Sequence, residues 1–332
     1  VDIGGVHRTQ KLDIDIGEFP FTIGLVVNPV IKVDKQGIQA LNKGIYMKYV
    51  NRKAMQIRES GRSSDFITPS FGYGCLYKCN YCYMRRHLPN GLTIASNTNQ
   101  ILDAIAAHLW LLEWPKQPNQ THEVYYTYDF SCNEDYVLHA KYHEWEKLFD
   151  YFKHEPRAMG TAATKYVNRN LLTYDSNRKV RIRFTIMPQV LSDKLEPGTS
   201  KIIDRIKAVN DFYEAGYDVH LNYSPIIVYD DFKKDYDELF KLVDNIVDDS
   251  IKHTVKAECI FLTHNKKMHK YNVDNNTKGE EYLWNPEYQE NKTSQYGGDN
   301  IRYNRFYKKK CINAFIHAHK QIINWQEIRY IF

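Results

Sequence analysis

The sequence predicts an α/β fold, a partial (β/α)6 barrel, on three observations. Between residues 122 and 263, stretches rich in β-formers take turns with stretches of helical periodicity. Such alternation implies a parallel sheet with helices outside it. A loop bearing glycines and cysteines, GCLYKCNYCYM (74–84), follows the strand-like FITPSF (66–71), and parallel barrels place their chemistry at the C-terminal ends of strands. The 332 residues suit one large domain, or one domain with an appendage, and can bury a sizeable core. The expected division is a lead-in packed on the barrel over 1–65, the barrel over 66–263, and an extension over 264–332. That extension is expected to hold a basic, aromatic hairpin and a terminal helix.

FTIGLVVNPVI (21–31) reads as one or two short strands, 37–48 as a short helix and 52–66 as a polar connector. Pro69 ends the incoming strand, and Gly72 and Gly74 let the backbone turn tightly beside the cysteines. In 96–114, Ile101, Ile105, Leu109 and Leu112 fall at helical spacing. Asn97 or Thr98 is the expected N-cap of that helix, and Pro115 lies just past its end. HEVYYTYDF (122–130) alternates as a strand does, SCNEDYVLH (131–139) is a loop and 141–154 is a helix. GTAATK (160–165) and VRIRFTIMP (180–188) fill further strand positions. Residues 198–216 read as a helix capped by Thr199 or Ser200 and ended by Gly216. A strand (217–228), a helix (235–248) and a last strand (255–263) follow. Residues 264–310 are polar and turn-rich, and 311–332 read as a helix.

Composition excludes several classes. The six cysteines are few for a disulfide scaffold, and Cys132, Cys259 and Cys311 are scattered, which points to a reducing cytoplasm. No apolar run resembling a signal peptide opens the chain, and no run of about 18 apolar residues would span a membrane. The net charge of +5 permits a nucleic-acid partner without requiring one. The stretch IRYNRFYKKK (301–310) interleaves Arg302, Arg305 and Lys308 with Tyr303, Phe306 and Tyr307. Cations beside aromatics suit phosphate contact with base stacking, and the same run suits a solvated surface equally well.

Cys75, Cys79 and Cys82 have CxxxCxxC spacing. Three thiolates on one short loop hold three irons of a [4Fe–4S] cube and leave the fourth open to a second molecule. Zinc sites usually pair CxxC with a second half that this chain lacks. CxxxCxxC with an aromatic residue before the last cysteine, here Tyr81, is the signature of the radical S-adenosyl-L-methionine (SAM) enzymes.

From about residue 66 onward the chain resembles the spore photoproduct lyase family of radical SAM enzymes. The resemblance is carried by GCLYKCNYCYM, by FSCNED (130–135), by LEPGTSKIIDRIKAVNDFYEAGYDVHLNYSPIIV (195–228) and by QYGGDNIRYNRFYKKK (295–310). It implies a radical SAM barrel, a [4Fe–4S] cluster on Cys75, Cys79 and Cys82, and SAM on the open iron. It implies reductive cleavage of SAM to a 5′-deoxyadenosyl radical that acts on a thymine photodimer. Cys132 is the implied hydrogen donor, and Tyr81 and Tyr83 would pass a hydrogen atom onward. Tyr83, Lys165, Thr185 and Ser224 are the implied SAM contacts, with Lys165 as a point charge for the methionine carboxylate. Asp135 would hold the Cys132 loop or a water network, and Glu196 and Arg205 would pair structurally. Arg302, Tyr303, Arg305 and Lys308 would form a DNA-contacting hairpin that fills the gap left by a flipped lesion. The implied partners are DNA or a thymine-containing nucleotide and a flavodoxin- or ferredoxin-type reductant.

The chain departs from the family pattern at RRH (85–87), in the span between Cys82 and Cys132, and in 264–300. Two further readings therefore stand beside repair. One is radical SAM modification or isomerisation of another nucleobase, such as a thymine in unusual DNA. The other is a cluster-bearing nucleic-acid-binding protein without activity, which an open iron disfavours.

Overall fold

The computed structural model describes residues 38–41, 45–52, 57–59, 65–294 and 297–332. The strands expected in 21–31 lie outside the described residues, as do all of 1–37 and much of the connector. Seven parallel strands form the central sheet: β1 (Ile67–Thr68), β2 (Tyr126–Asp129), β3 (Ala158–Thr164), β4 (Val180–Ile186), β5 (Asp218–Ile226), β6 (Ala257–Phe261) and β7 (Ile328–Ile331). They lie side by side in chain order, and Arg58–Glu59 pairs antiparallel at the β1 edge. Against the sheet pack α1 (Thr98–Leu111), α2 (Trp145–His154), α3 (Ile202–Glu214), α4 (Phe232–Ile246) and α5 (Arg305–Ile322). This is the α/β partial barrel that the alternation predicts, with one strand more than six.

The sheet is covered on both faces, and all seven residues of β4 are buried, including two arginines. Those arginines explain how a parallel strand rich in charge stays inside. Arg183 reaches Asp129 of β2 at 2.7 Å, Thr161 of β3 at 2.9 Å and Glu258 of β6 at 3.2 Å. Tyr330 of β7 donates to the same glutamate at 2.8 Å. Inward-facing side chains from β2, β3, β4, β6 and β7 thus join in one polar layer, where each buried charge has an opposite partner.

Several expectations are corrected. Residues 37–48, expected as a helix, hold strands Ile38–Leu41 and Ile45–Val50. These belong to a second sheet with Leu92–Ala95 and Gly72–Tyr73, so cross-strand pairing overrides local propensity. The loop 131–139 contains a short helix, Tyr136–His139, capped by the Asp135 side chain. Neither Thr199 nor Ser200 caps α3, whose N-cap is Lys201. The Thr199 hydroxyl donates to the Glu196 carbonyl and the Ser200 hydroxyl accepts from Val167 N–H. Asn97 sits at the N-cap of α1, but its side chain serves the Arg52 backbone instead. The basic run is no hairpin throughout. The hairpin is Gln289–Thr293 with Asp299–Tyr303, and Arg305 opens α5. The final residues are not helical but form β7, parallel to β6. Among the described residues no helix is long and apolar enough to cross a membrane.

The close approach of α2 to β3 demands a glycine. A Cβ on Gly160 would lie 2.6 Å from Phe152 and 2.8 Å from Phe130. Gly160→Ala is expected to cost roughly 1–3 kcal/mol, read as a lower midpoint in urea with an unchanged slope.

Candidate active site

Loops at the C-terminal ends of β1, β2 and β3, with the turn after β4, meet on one side of the sheet. The first carries the three cysteines. It begins at Gly74, whose φ of +107° and close contact with Gly91 O, 3.0 Å from a Cβ placed there, favour glycine. The loop is anchored along its length. Gly74 N–H donates to Asn133 O at 3.0 Å, Leu76 N–H to His139 Nε2 at 3.3 Å and Asn80 N–H to Leu195 O at 2.8 Å. Cys75 and Cys79 are buried, Cys82 is half-buried and all three are free thiols.

Burial pushes all three thiols up, and the carboxylates of Asp135 and Glu196 add to this at Cys75 and Cys79 respectively. As bare thiolates they would be unstable there. Soft donors on one loop, stabilised as anions only by added positive charge, fit an iron–sulfur cluster with three protein ligands. Cys75, Cys79 and Cys82 would hold it.

The second loop carries Cys132, half-buried three residues past β2. Asp129 fixes the turn by accepting from Ser131 N–H at 3.0 Å. Asn133 adopts φ +69°, and its side-chain oxygen accepts from the Tyr83 hydroxyl. Asp135 accepts from Thr164 Oγ1 at 2.8 Å and from Lys165 N–H at 2.9 Å. Asp135 therefore holds the Cys132 loop, as expected, by tying it to the end of β3.

The third group centres on Glu196, at the C-cap of the short helix Gln189–Leu195 that follows β4. Its Oε1 accepts from the Tyr81 hydroxyl and lies 3.9 Å from Lys165 Nζ. Its Oε2 accepts from Arg205 at 2.9 Å and Ser192 at 3.2 Å. Burial and the neighbouring Glu196 charge hold the Tyr81 phenol well above its usual range, so it stays protonated. Lys165 Nζ also lies 5.7 Å from the Tyr81 ring centroid. Thr185 is buried and its carbonyl accepts from Arg205 at 2.7 Å.

The structure thus brings Tyr81, Lys165 and Thr185 into one network through Glu196, and ties Tyr83 to the Cys132 loop through Asn133. Ser224 is half-buried on β5 and joins neither group. The residues assigned to DNA lie elsewhere. Arg302 pairs with Glu290 at 2.9 Å on the hairpin, while Arg305 and Lys308 stand in the first turn of α5. Tyr303 is corrected: it is buried, and its hydroxyl accepts from Val228 N–H at 2.9 Å, so its ring is not open to a base.

Sequence reasoning missed Glu134, His139 and His143. Glu134 Oε2 lies 3.1 Å from His139 Nδ1 and 2.9 Å from His143 Nε2. Because His139 Nε2 accepts from Leu76, its proton sits on Nδ1 and faces the carboxylate. A Cβ on Gly72 would lie 2.3 Å from Glu134 Oε1, so Gly72 is needed for close approach. The available signal was two histidines four residues apart, one helical turn.

A family model described as spore photoproduct lyase matches residues 38–332. The chain belongs to the spore photoproduct lyase family. The spore photoproduct lyase of Bacillus subtilis (strain 168) is 27% identical over 213 residues, 63% of this chain and 59% of that protein. The spore photoproduct lyase of Clostridium acetobutylicum is 28% identical over 190 residues, 54% of each. The matched region thus spans under two thirds of either curated relative. A solved spore photoproduct lyase mutant with bound AdoMet and dinucleoside spore photoproduct superposes with a TM-score of 0.76 at 18% identity. It covers 86% of this chain and 82% of that one. A spore photoproduct lyase complexed with dinucleoside spore photoproduct gives a TM-score of 0.75 at 19% identity, with the same coverage. This likeness shows that the partial barrel is the spore photoproduct lyase fold.

The Glu134 network makes stability depend on pH. Burial alone would raise this carboxyl, but His143 and the hydrogen bonds from both imidazoles outweigh it and hold it at about 2. A depressed carboxyl stabilises the fold above its unfolded value and loses that contribution as pH falls toward the folded one. The stability difference between wild type and Glu134→Gln is expected to shrink as pH falls below about 5. Urea unfolding of both proteins across this range checks it.

Proposed function

We propose that this chain is a radical SAM lyase that splits the thymine photodimer called spore photoproduct. One observation supports this most: a thiol outside the CxxxCxxC stretch, Cys132, sits on the loop hydrogen-bonded to the cysteine loop through Gly74 and Asn133. When bound, the [4Fe–4S] cluster and SAM supply a 5′-deoxyadenosyl radical that takes a hydrogen atom from the substrate.

The protein's part is orientation and hydrogen return. Lys165, already beside a buried carboxylate, offers a cation to the methionine carboxylate. Cys132 Sγ gives its hydrogen atom to the thymine carbon left as a radical after scission. The Cys132 thiyl radical left behind takes back a hydrogen atom relayed through Tyr83, bonded to the residue after Cys132, and Tyr81, bonded to Glu196, so that the unpaired electron returns toward the cofactor. The family's substrate and the solved complexes with dinucleoside spore photoproduct support this assignment.

DNA would approach the C-terminal module. Lys308 is half-buried next to Arg302 and Lys292, and burial followed by those two cations lowers its pKa. A phosphate placed there relieves that repulsion. Arg305 and Lys308 remain in this surface, whereas Tyr303 leaves it. The electron donor would be of flavodoxin or ferredoxin type, and the compartment the cytoplasm, where thiols stay reduced.

The test is anaerobic incubation of the reconstituted protein with SAM, dithionite and dinucleoside spore photoproduct. Chromatography with mass detection is expected to show intact thymine dinucleotide. SAM cleavage without any repaired product would move the substrate elsewhere.

A further inference from the structure

The excursion between β6 and α5 brings three metal-ligating side chains together far from one another in local structure. His264 lies on the strand Thr263–Asn265, His269 on the helix Lys266–Asp274 and Glu280 on the helix Glu280–Leu283. His264 Nε2 is 3.0 Å and His269 Nδ1 2.6 Å from the same oxygen, Glu280 Oε1. One ligand atom from each lies within 4.8 Å of the others.

We propose that His264, His269 and Glu280 form a divalent-metal site, with zinc as the fitting ion. As hydrogen bonds, both imidazoles must present a proton to one oxygen. One divalent cation in place of those two protons turns the same atoms into an N2O donor set. Zinc accepts that set, with bonds of about 2.0–2.1 Å and a fourth position open to water. Tetrahedral bonds of that length put neighbouring ligand atoms roughly 3.3 Å apart, so small shifts of these side chains suffice.

The surroundings are those of a supported site. Asn272 donates to the other carboxylate oxygen of Glu280, which orients it as outer partners orient metal ligands. The His269 ring stacks on Trp284, centroids 3.7 Å apart and planes 9° apart. His264 is fully buried, while His269 and Glu280 keep side-chain exposures of 26% and 12%, enough for an ion and a water to enter. Asn272 also donates to the carbonyl of Asn80 at 2.7 Å, and Asn80 lies between Cys79 and Cys82. The ion clips the C-terminal excursion beneath the cysteine loop and has no part in electron transfer.

The experiment uses the full-length protein with its cysteine site loaded with iron and sulfide. After incubation with equimolar zinc and gel filtration, elemental analysis is expected to find about one zinc per chain beside about four irons. His269→Ala and Glu280→Gln are expected to lose at least nine-tenths of the zinc and keep their iron. Replacing Cys75, Cys79 and Cys82 together by Ala removes the iron and leaves the zinc. Zinc is also expected to raise the melting temperature of wild type by several degrees and that of His269→Ala not at all. Wild type that retains no zinc, or no more than the two variants, would overturn the proposal and leave a hydrogen-bonded network. A zinc lost with the three cysteines would equally overturn it, by placing the ion in the cysteine loop.

Discussion

A single buried carboxylate joins the parts of this site. Glu196 has no exposed side-chain surface, and a buried charge is tolerable only when paired and fully hydrogen-bonded. Arg205 supplies the pairing and donates as well to Thr185 O, Ser200 O and Thr199 Oγ1. Tyr81 and Ser192 fill the rest of the carboxylate. The end of β4, the start of α3 and the cysteine loop are thereby fixed to one another. Lys165 at the end of β3 completes the ring of partners. Loss of either charge would leave its partner buried and unpaired, which is why this turn carries so many polar residues in so few positions.

A second constraint runs through the barrel interior. Arg183 draws Asp129, Thr161 and Glu258 together, and Asp129 in turn fixes the turn that leads to Cys132. The charges inside the sheet therefore support the loop above it. The cysteine loop and the Cys132 loop follow neighbouring strands, and a backbone hydrogen bond between them closes the gap. Chemistry placed on loops and held by a rigid sheet is the common logic of parallel barrels.

Much of this was legible in the sequence. Cysteine spacing alone singled out the loop 74–84, because ligand spacing is a local property. The strands β2, β4, β5 and β6 were visible because they hold β-branched or aromatic runs between turn signals, whereas β3, AMGTAAT, was placed by its position in the alternation. What failed depended on distant partners. The strand at 328–331 is four residues long and follows a helical pattern; only its pairing with β6 makes it a strand. The strands within 38–50 depend in the same way on Leu92–Ala95. The start of α5 was readable and missed: Asn304 accepts from Tyr307 N–H as an N-cap, which ends the basic hairpin at Tyr303. The bond between Tyr81 and Glu196 joins residues 115 positions apart, and no spacing rule reaches that far. Likewise, His264, His269 and Glu280 are scattered in sequence and meet only through the folded excursion.

The account turns on Cys132 being the hydrogen donor, and the product spectrum of Cys132→Ala tests this most directly. The variant keeps Cys75, Cys79 and Cys82 and all anchors of their loop, so it is expected to load its cluster and start the reaction on dinucleoside spore photoproduct. Lacking its thiol, it is expected to leave the thymine radical open to dithionite-derived sulfur dioxide radical anion. Mass spectrometry should then show a thymine sulfinate adduct in place of most of the repaired thymine. Clean thymine formed at the wild-type rate would contradict the account.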